Sequence, residues 1–207
     1  MDMIGSDSIA ILSTASISIR NRDVEFPFRP DSDFFYLTGY PEPEAVVVLI
    51  PDREEGECIL FCRERDEKME AWHGRRSGLE GAIKIYAVDD AFPIEDMDDI
   101  LPGLIEGHER IYYNMGSDQN FDQRVLGWVN QIRDKVRTGA TAPDEFISLN
   151  HFLHEMRLYK SPYEIKLMRK AAEISTKAHK RAMKNCRPGM YEYQLEGELI
   201  SEFIQNG

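Results

Sequence analysis

Short apolar segments separated by polar ones predict four strands in the first part of the chain. The predicted strands are Ser8–Thr14, Ala45–Ile50, Cys58–Cys62 and Arg110–Asn114. The second lacks alternation between apolar and polar residues, so both of its faces are expected to be buried. The charged segment Asp52–Gly56, which ends in glycine, predicts a hairpin loop between the second and third strands.

Apolar residues at helical spacing predict two helices in the same region, Ile94–Ile105 and Asp118–Val136. A recurrence at every third or fourth position marks the face of a helix that packs on a core. The second helix is expected to bury Phe121, Val125, Trp128 or Val129, and Ile132. With the four strands, these helices predict the α/β fold class.

The strongest helix-start signal lies in the last quarter of the chain. Ser161 can cap the helix, Pro162 suits its first position, and Glu164 completes a capping box. The helix is expected to run to about Asn185. A short helix over His151–Leu158 is predicted before it.

A last helix is predicted from near Tyr191, and it has one apolar face. Leu195, Leu199, Phe203 and Ile204 lie on that face. No later segment of this sequence is predicted to cover it, so we interpret the chain as a piece of a longer protein.

Composition and charge limit the function and place a boundary near residue 150. The chain has 207 residues, 42% hydrophobic, and a net charge of −12. Residues 151–207 hold 10 Lys and Arg against 7 Asp and Glu, whereas residues 1–150 hold 15 against 30. An acidic main body argues against a nucleic-acid partner, because phosphates require clustered cations. A nucleic-acid face on the basic helix is the alternative, but Glu164 and Glu173 interrupt it, which favours a solvated surface.

The cysteine count and the N-terminus predict a cytoplasmic protein without a membrane partner. Three cysteines are an odd and sparse set, typical of reduced thiols rather than of a disulfide framework. The apolar run Ile9–Leu12 is too short for a signal peptide or a membrane span.

Two groups of residues have the chemistry of metal ligands, and for both the structural interpretation is preferred. Cys58 and Cys62 are four residues apart on a predicted strand, so their Cα atoms would lie roughly 13 Å apart. His151 and His154 share a helix face, with Glu155 beside them, but a further ligand is not evident. The sequence also lacks a serine nucleophile elbow and a glycine-rich phosphate loop. No catalytic residue and no metal ligand is therefore assigned to this chain.

The segment Phe26–Glu44 combines features that rarely occur together. It holds six aromatic residues, four prolines, two Asp and two Glu. A disordered linker would lack the aromatics, and a core strand would lack the prolines. The segment predicts a rigid aromatic path that leads into the second strand and serves as scaffold.

The segment Trp72–Arg76 is the best candidate for recognition. It lies within Arg63–Gly81, a polar stretch without helical or strand periodicity. Trp offers a flat apolar surface and Arg can bind a carboxylate with two hydrogen bonds. The alternative is a salt-bridged loop between domains, and the residues alone leave both interpretations open.

Together these segments resemble the bacterial aminopeptidase P family, the Xaa-Pro aminopeptidases. The resemblance rests on Phe26–Ala45, Trp72–Arg76, His154–Pro162 and Cys186–Tyr193, in this order. It implies a creatinase-like N-terminal domain with a mixed sheet and flanking helices over residues 1–150. Residues 151–207 would be the linker and the first helices of an incomplete "pita-bread" catalytic domain.

The resemblance also implies an activity, a cofactor and an assembly. The family removes the N-terminal residue of peptides with proline at the second position, and it uses two manganese ions. Its metal ligands lie beyond the helix that ends this sequence, so the chain is expected to bind no metal and to be inactive alone. Its members form dimers or tetramers in which the N-terminal domain shapes a neighbour's pocket. Trp72, and less securely Arg137, match residues near that pocket.

Two alternatives remain open at this point. A non-catalytic peptide- or protein-binding module can have the same fold, and so can a related prolidase or creatinase. Phe26–Ala45 and Trp72–Arg76 favour aminopeptidase P among the enzymes.

Overall fold

The computed structural model describes residues 3–207, and the chain divides into two compact units. One unit ends at Leu153, and the other is His154–Gly207. The division falls three residues after the boundary at residue 150 that the charge distribution predicts.

The first unit is built on a six-stranded mixed sheet with the strand order β6-β5-β4-β1-β7-β8. Strand β4 pairs antiparallel with β1 and β5, whereas the β1–β7, β5–β6 and β7–β8 pairs are parallel. The strands are β1 (Ser8–Ser13), β4 (Val46–Leu49), β5 (Cys58–Cys62), β6 (Asp90–Pro93), β7 (Arg110–Tyr112) and β8 (Glu145–Ile147). A separate two-stranded ribbon joins β2 (Ile19–Asn21) and β3 (Val24–Glu25). The predicted α/β fold with a mixed sheet is confirmed.

Helices cover both faces of this sheet. On one face, α4 (Met97–Ile105) and α5 (Gln119–Asp134) pack against Ile9, Ile11, Val46 and Val48. The other face of the sheet packs against three helices, which are α1 (Ser32–Thr38), α3 (Gly78–Tyr86) and α6 (Asn150–Leu158). Strand β4 contributes Val46 and Val48 to one core and Val47 to the other, so the expected burial of both its faces is confirmed.

The predicted hairpin between β4 and β5 is also confirmed, and its geometry explains the glycine. Gly56 has a φ of +115°, and a Cβ there would lie 2.2 Å from the Cβ of Asp89. The carboxylate of Asp89 accepts hydrogen bonds from the N–H groups of Glu57 and Cys58 at 2.9 Å. Only glycine allows Asp89 to come this close.

The second unit contains α7 (Pro162–Asn185) and α8 (Glu192–Asn206), and α7 starts where the sequence predicts. The Ser161 hydroxyl accepts from the N–H of Glu164 at 3.2 Å, and Glu164 Oε2 accepts from the N–H of Ser161 at 2.7 Å. The guanidinium of Arg181 bridges to Glu198 at 2.6 Å and to Glu202 at 3.4 Å, which ties the two helices together.

The predicted apolar face of the last helix is only partly covered. Leu195 and Leu199 are half-buried, whereas Phe203 is 40% exposed and Ile204 76% exposed. The cations of α7 lie mostly on its exposed surface. Within residues 3–207, none of the helices has the length and apolar character that a membrane crossing requires.

Candidate functional site

Trp72 lies on a short helix, not in an irregular loop. The expectation that Arg63–Gly81 lacks regular structure is wrong, because α2 (Glu67–His73) and the start of α3 lie within it. The carboxylate of Asp66 caps α2 by accepting from the N–H groups of Lys68 and Met69. None of the residues 67–73 is buried, so this helix has no apolar face and leaves no helical period in the sequence.

The indole of Trp72 is directed to solvent. Its side chain is 85% exposed, which is rare for so large an apolar group. His73 and Arg75, which follow it in the sequence, are also exposed, so an apolar surface lies near an imidazole and a guanidinium along the chain. This combination suits a ligand that has both an apolar ring and a carboxylate or carbonyl.

Glu70 ties α2 to the chain on both sides of it. Its two carboxylate oxygens accept from Nε and Nη2 of Arg65 at 3.0 and 3.1 Å. Those hydrogen bonds hold the pKa of Glu70 below its usual value, and the backbone N–H of Arg76 adds to the effect. Gly78 has a φ of +63°, and a Cβ there would lie 2.5 Å from Cγ of Arg65, so the backbone needs glycine.

A half-buried carboxylate from the aromatic segment holds the loop after α2. Glu42 Oε1 accepts from the backbone N–H of Ser77 at 2.7 Å and from its hydroxyl at 2.6 Å. Glu42 Oε2 faces Nη2 of Arg63 at 3.7 Å, and Glu44 faces Nε of Arg63 at the same distance. The side chains of Glu42 and Arg63 are 13% and 12% exposed. The aromatic segment is therefore bound to Ser77, which lies 35 residues after Glu42 and directly follows the Trp72 segment.

The rest of Phe26–Glu44 serves as scaffold, with one difference from the prediction. Phe34 and Tyr40 are fully buried, but Phe26 and Phe35 are about half exposed. The segment is not one extended path, because α1 interrupts it, capped by Asp31 and ended by Gly39 at a φ of +64°.

The Tyr40 hydroxyl lies beside a buried thiol and a carboxylate. Burial raises its pKa well above the usual value, and Cys62 and Glu42 add to the increase. Burial likewise raises the pKa of Cys62 to about 11. The Tyr40 hydroxyl and the Cys62 thiol are therefore uncharged at neutral pH, and Cys62 provides no reactive thiolate.

Arg137 lies on a different element from Trp72. It is exposed, in a single 3-10 turn over Val136–Thr138 that follows α5 and ends at Gly139 with a φ of +95°. Within residues 3–207, the structure records no hydrogen bond, ion pair or ring contact that joins Arg137 to Trp72. The structure does not bring the two sequence-predicted site residues into one constellation.

The two metal-ligand candidates lie in different surroundings, and neither is a metal centre. Burial raises the pKa of Cys58, like that of Cys62, to about 11, which disfavours the thiolate that a metal binds. The ring of His151 packs edge-on against Phe152. In the part of the chain that the structure describes, no three His, Cys, Asp or Glu residues are placed to hold a metal ion. These residues do not fit a metal centre, so no step through a metal is assigned to this chain.

Sequence reasoning missed Glu42, Arg63 and Ser77. In the sequence Glu42 is one acidic residue in a proline-rich segment, and nothing local indicates that its partner is Ser77, 35 residues away. A cap signal for α2 was present, with Asp66 before two acidic residues and Gly74 after the helix.

Comparison with known proteins supports the resemblance. The family model described as "Aminopeptidase P, N-terminal domain" matches residues 1–112, and that of "Metallopeptidase family M24" matches residues 166–207. The Xaa-Pro aminopeptidase of Escherichia coli is 42% identical over 97% of this chain, which covers 46% of that protein. The "Intermediate cleaving peptidase 55, mitochondrial" of Arabidopsis thaliana is 32% identical over 84% of this chain, which covers 33% of that protein.

Solved structures agree with the fold. The structure of Pseudomonas aeruginosa aminopeptidase PepP superposes with a TM-score of 0.97 at 58% identity. The superposed region covers 100% of this chain and 47% of the PepP chain. Zinc-substituted E. coli aminopeptidase P in complex with product superposes with a TM-score of 0.93 at 41% identity. The superposed region covers 97% of this chain and 46% of the E. coli chain.

The fold and these matches define the N-terminal portion of a metallopeptidase. The chain belongs to the aminopeptidase P family, and it spans about half the length of the Xaa-Pro aminopeptidases it matches.

Proposed function

We propose that this chain is the N-terminal part of a manganese-dependent Xaa-Pro aminopeptidase. The enzyme would release the N-terminal residue of peptides that have proline at the second position. Residues 1–150 would form the creatinase-like domain, and residues 151–207 the linker and first helices of the catalytic domain. The matches at residues 1–112 and 166–207 support this division. The odd number of cysteines, all free, supports a cytoplasmic location.

The role of this chain within that enzyme would be to shape the substrate pocket of a neighbouring subunit in a homo-oligomer. One observation carries this proposal: an indole that is 85% exposed, on a helix that the Glu70–Arg65 pair holds and that leads into a loop bound by Glu42 at Ser77. Exposed Trp residues on well-held elements are typical of binding hot spots. The flat indole suits the ring of a substrate proline, because both are rigid and apolar.

Arg137 would serve a separate part of the substrate. Its guanidinium is exposed and lies at a tight turn, which makes it available to a peptide carboxylate or carbonyl. Because Arg137 and Trp72 lie on different elements, the loss of one should not change the structure around the other.

The metal chemistry would lie outside this chain. Two manganese ions, held by the remainder of the longer protein, would polarise the scissile carbonyl and supply a hydroxide. We therefore expect the purified 207-residue chain to show no turnover of Xaa-Pro peptides with added manganese. Metal-dependent turnover by the chain alone would contradict this expectation.

The substrate-pocket role is tested by kinetics of the longer enzyme that contains this chain. Trp72→Ala should raise KM or lower kcat on Xaa-Pro peptides, because a pocket wall is lost, and Trp72→Phe should restore part of the activity. Ile85→Ala is the matched control, since Ile85 is an apolar side chain of the next helix that is 68% exposed. Unchanged kinetics of Trp72→Ala would refute the role.

The same enzyme should be a dimer or tetramer by light scattering. A monomer that retains full activity would show that Trp72 does not act on a neighbouring subunit.

A further inference from the structure

Hydrophobic packing does not fix the position of Trp72. Helix α2 has only seven residues, and none of the residues 67–73 is buried. A helix of this length is not stable alone in water, because too few hydrogen bonds offset the cost of starting it. The orientation of the indole therefore depends on polar contacts of the helix and of the loops on either side of it.

Glu70, whose side chain is 10% exposed, makes one of these contacts with Arg65, and Glu42 makes another with Ser77, directly before α3. One carboxylate oxygen of Glu42 accepts both the N–H and the hydroxyl of Ser77, five residues after Trp72, and the other faces Arg63. With its side chain only 13% exposed, the carboxylate has lost most of its hydration, so its free energy depends on keeping these partners.

The residues around Glu42 suit it to hold a fixed position. Pro41 and Pro43 flank it, and proline restricts both its own φ and the conformation of the residue before it. Fixing Glu42 in the folded state thus costs less conformational entropy than fixing a residue in a flexible loop.

We propose that Glu42 is a positioning residue that sets the orientation of Trp72 through Ser77 and so helps to shape the substrate pocket. The link to the pocket rests on the function proposed above, whereas the link between Glu42 and Trp72 rests on the hydrogen bonds to Ser77, five residues after Trp72. This role gives a reason for the contact between Glu42, which lies between two prolines, and Ser77 after the Trp72 segment.

The structural link is tested on the 207-residue chain labelled with fluorotryptophan. The chain has two Trp residues, exposed Trp72 and buried Trp128, so the fluorine spectrum has two resonances, which Trp72→Phe assigns. Glu42→Gln should shift or broaden the Trp72 resonance and leave that of Trp128 in place. Ser77→Ala, which removes one of the two donors, should cause a smaller change in the same direction.

Glu44→Gln is the matched control. Glu44 faces the same guanidinium of Arg63 at 3.7 Å, is 56% exposed, and makes no recorded hydrogen bond to residues 67–77 of the described chain. The Glu44→Gln variant should leave both the Trp72 and the Trp128 resonances unchanged. The proposal is overturned if Glu42→Gln leaves the Trp72 resonance unchanged, or if Glu44→Gln moves it equally. If Glu42→Gln does not fold, Ser77→Ala decides by the same criterion.

The link to the pocket is tested in the longer enzyme. Misplacement of a substrate-contacting group by about 1 Å can cost up to about 100-fold, so Glu42→Gln should lower kcat/KM about tenfold on Xaa-Pro peptides. In a Trp72→Ala background it should have no further effect, because a residue that acts only through Trp72 is not additive with its loss. If Glu42→Gln lowers kcat/KM in the Trp72→Ala background as much as it does alone, the positioning role is overturned. If Trp72→Ala has no effect itself, the proposed function fails, while the fluorine spectrum still tests the structural link.

Discussion

Different forces stabilise the two units of this chain. The unit that ends at Leu153 has a sheet with a buried apolar cluster on each face. In His154–Gly207, all of which the structure describes, Ala178 is the only buried residue. There the apolar residues Leu195 and Leu199 are only half-buried, and the polar contacts are local caps and the bridges from Arg181. The first unit therefore derives its stability mainly from burial, whereas the second buries little apolar surface and relies also on partly exposed polar contacts that contribute little.

The same contrast separates the scaffold from the candidate site. The sheet positions the aromatic segment by burying Phe34 and Tyr40, whereas the helix that carries Trp72 has no buried apolar residue and is held by carboxylates. Packing fixes the frame, and polar contacts fix the residue that we propose to contact substrate. The predictions below test this division.

The largest effect is expected from a matched pair of aromatic truncations. Phe34→Ala removes a fully buried ring and should lower the free energy of unfolding by about 3–5 kcal/mol. Phe203→Ala removes a ring that is 40% exposed and should cost less than about 1 kcal/mol. Urea unfolding followed by the fluorescence of buried Trp128 reports on the first unit. Equal shifts of that transition by both variants would show that the units do not differ as described.

An intermediate effect is expected from alkaline pH, and it should come from the first unit. Burial raises the pKa of Cys62 from 9.0 to about 11, so only the unfolded chain loses this proton between those values. Stability is unaffected below about pH 9 and falls as pH rises towards 11, by roughly 2–3 kcal/mol from this thiol. The buried Tyr40 hydroxyl, whose pKa is also raised, acts in the same direction at higher pH.

Urea unfolding across this pH range measures the effect. Cys62→Ala should make the decline less steep, whatever its cost at neutral pH. Cys186→Ala is the control, because Cys186 is exposed, and it should leave the decline unchanged. An equal decline in all three proteins would exclude Cys62 as a source.

The smallest effect is expected in the second unit. Arg181→Ala removes the bridges to Glu198 and Glu202, and it should speed hydrogen exchange in α8 without changing exchange in β1 or β4. The loss should shrink at high salt, because exposed ion pairs are screened. Lys184→Ala removes the same charge from the same helix and serves as control. Equal effects of the two variants would mean that the bridges do not join the helices.

Sequence patterns predicted the elements that bury a continuous apolar face. Strands β1, β4 and β5, helices α4 and α5, and the capped start of α7 all lie within a few residues of their predicted positions. Helices α1, α2 and α3 and strands β6 and β8 were missed. These elements are short, and most of their residues are only partly buried or exposed. Their apolar residues therefore show neither the helical nor the strand period in the sequence.

The candidate site was predicted in part. The composition of Trp72–Arg76 drew attention to Trp72, and the structure adds that its indole is exposed on a capped helix. The roles of Arg63, Glu70 and Ser77 could not be predicted, because each depends on a partner that folding brings close. Whether Trp72 and Arg137 contact substrate stays a prediction.

The sequence by itself determined the α/β class and the main strands and helices, because these follow from local composition and periodicity. It indicated the family through the resemblance of its motifs, such as Phe26–Ala45 and Trp72–Arg76. Only the tertiary structure decided how the Trp72 helix is held. A charged residue in a proline-rich segment has the same local pattern whether it is solvated or half-buried. Its role appears once the sheet places Glu42 within hydrogen-bond distance of Ser77, where loss of hydration makes that contact specific.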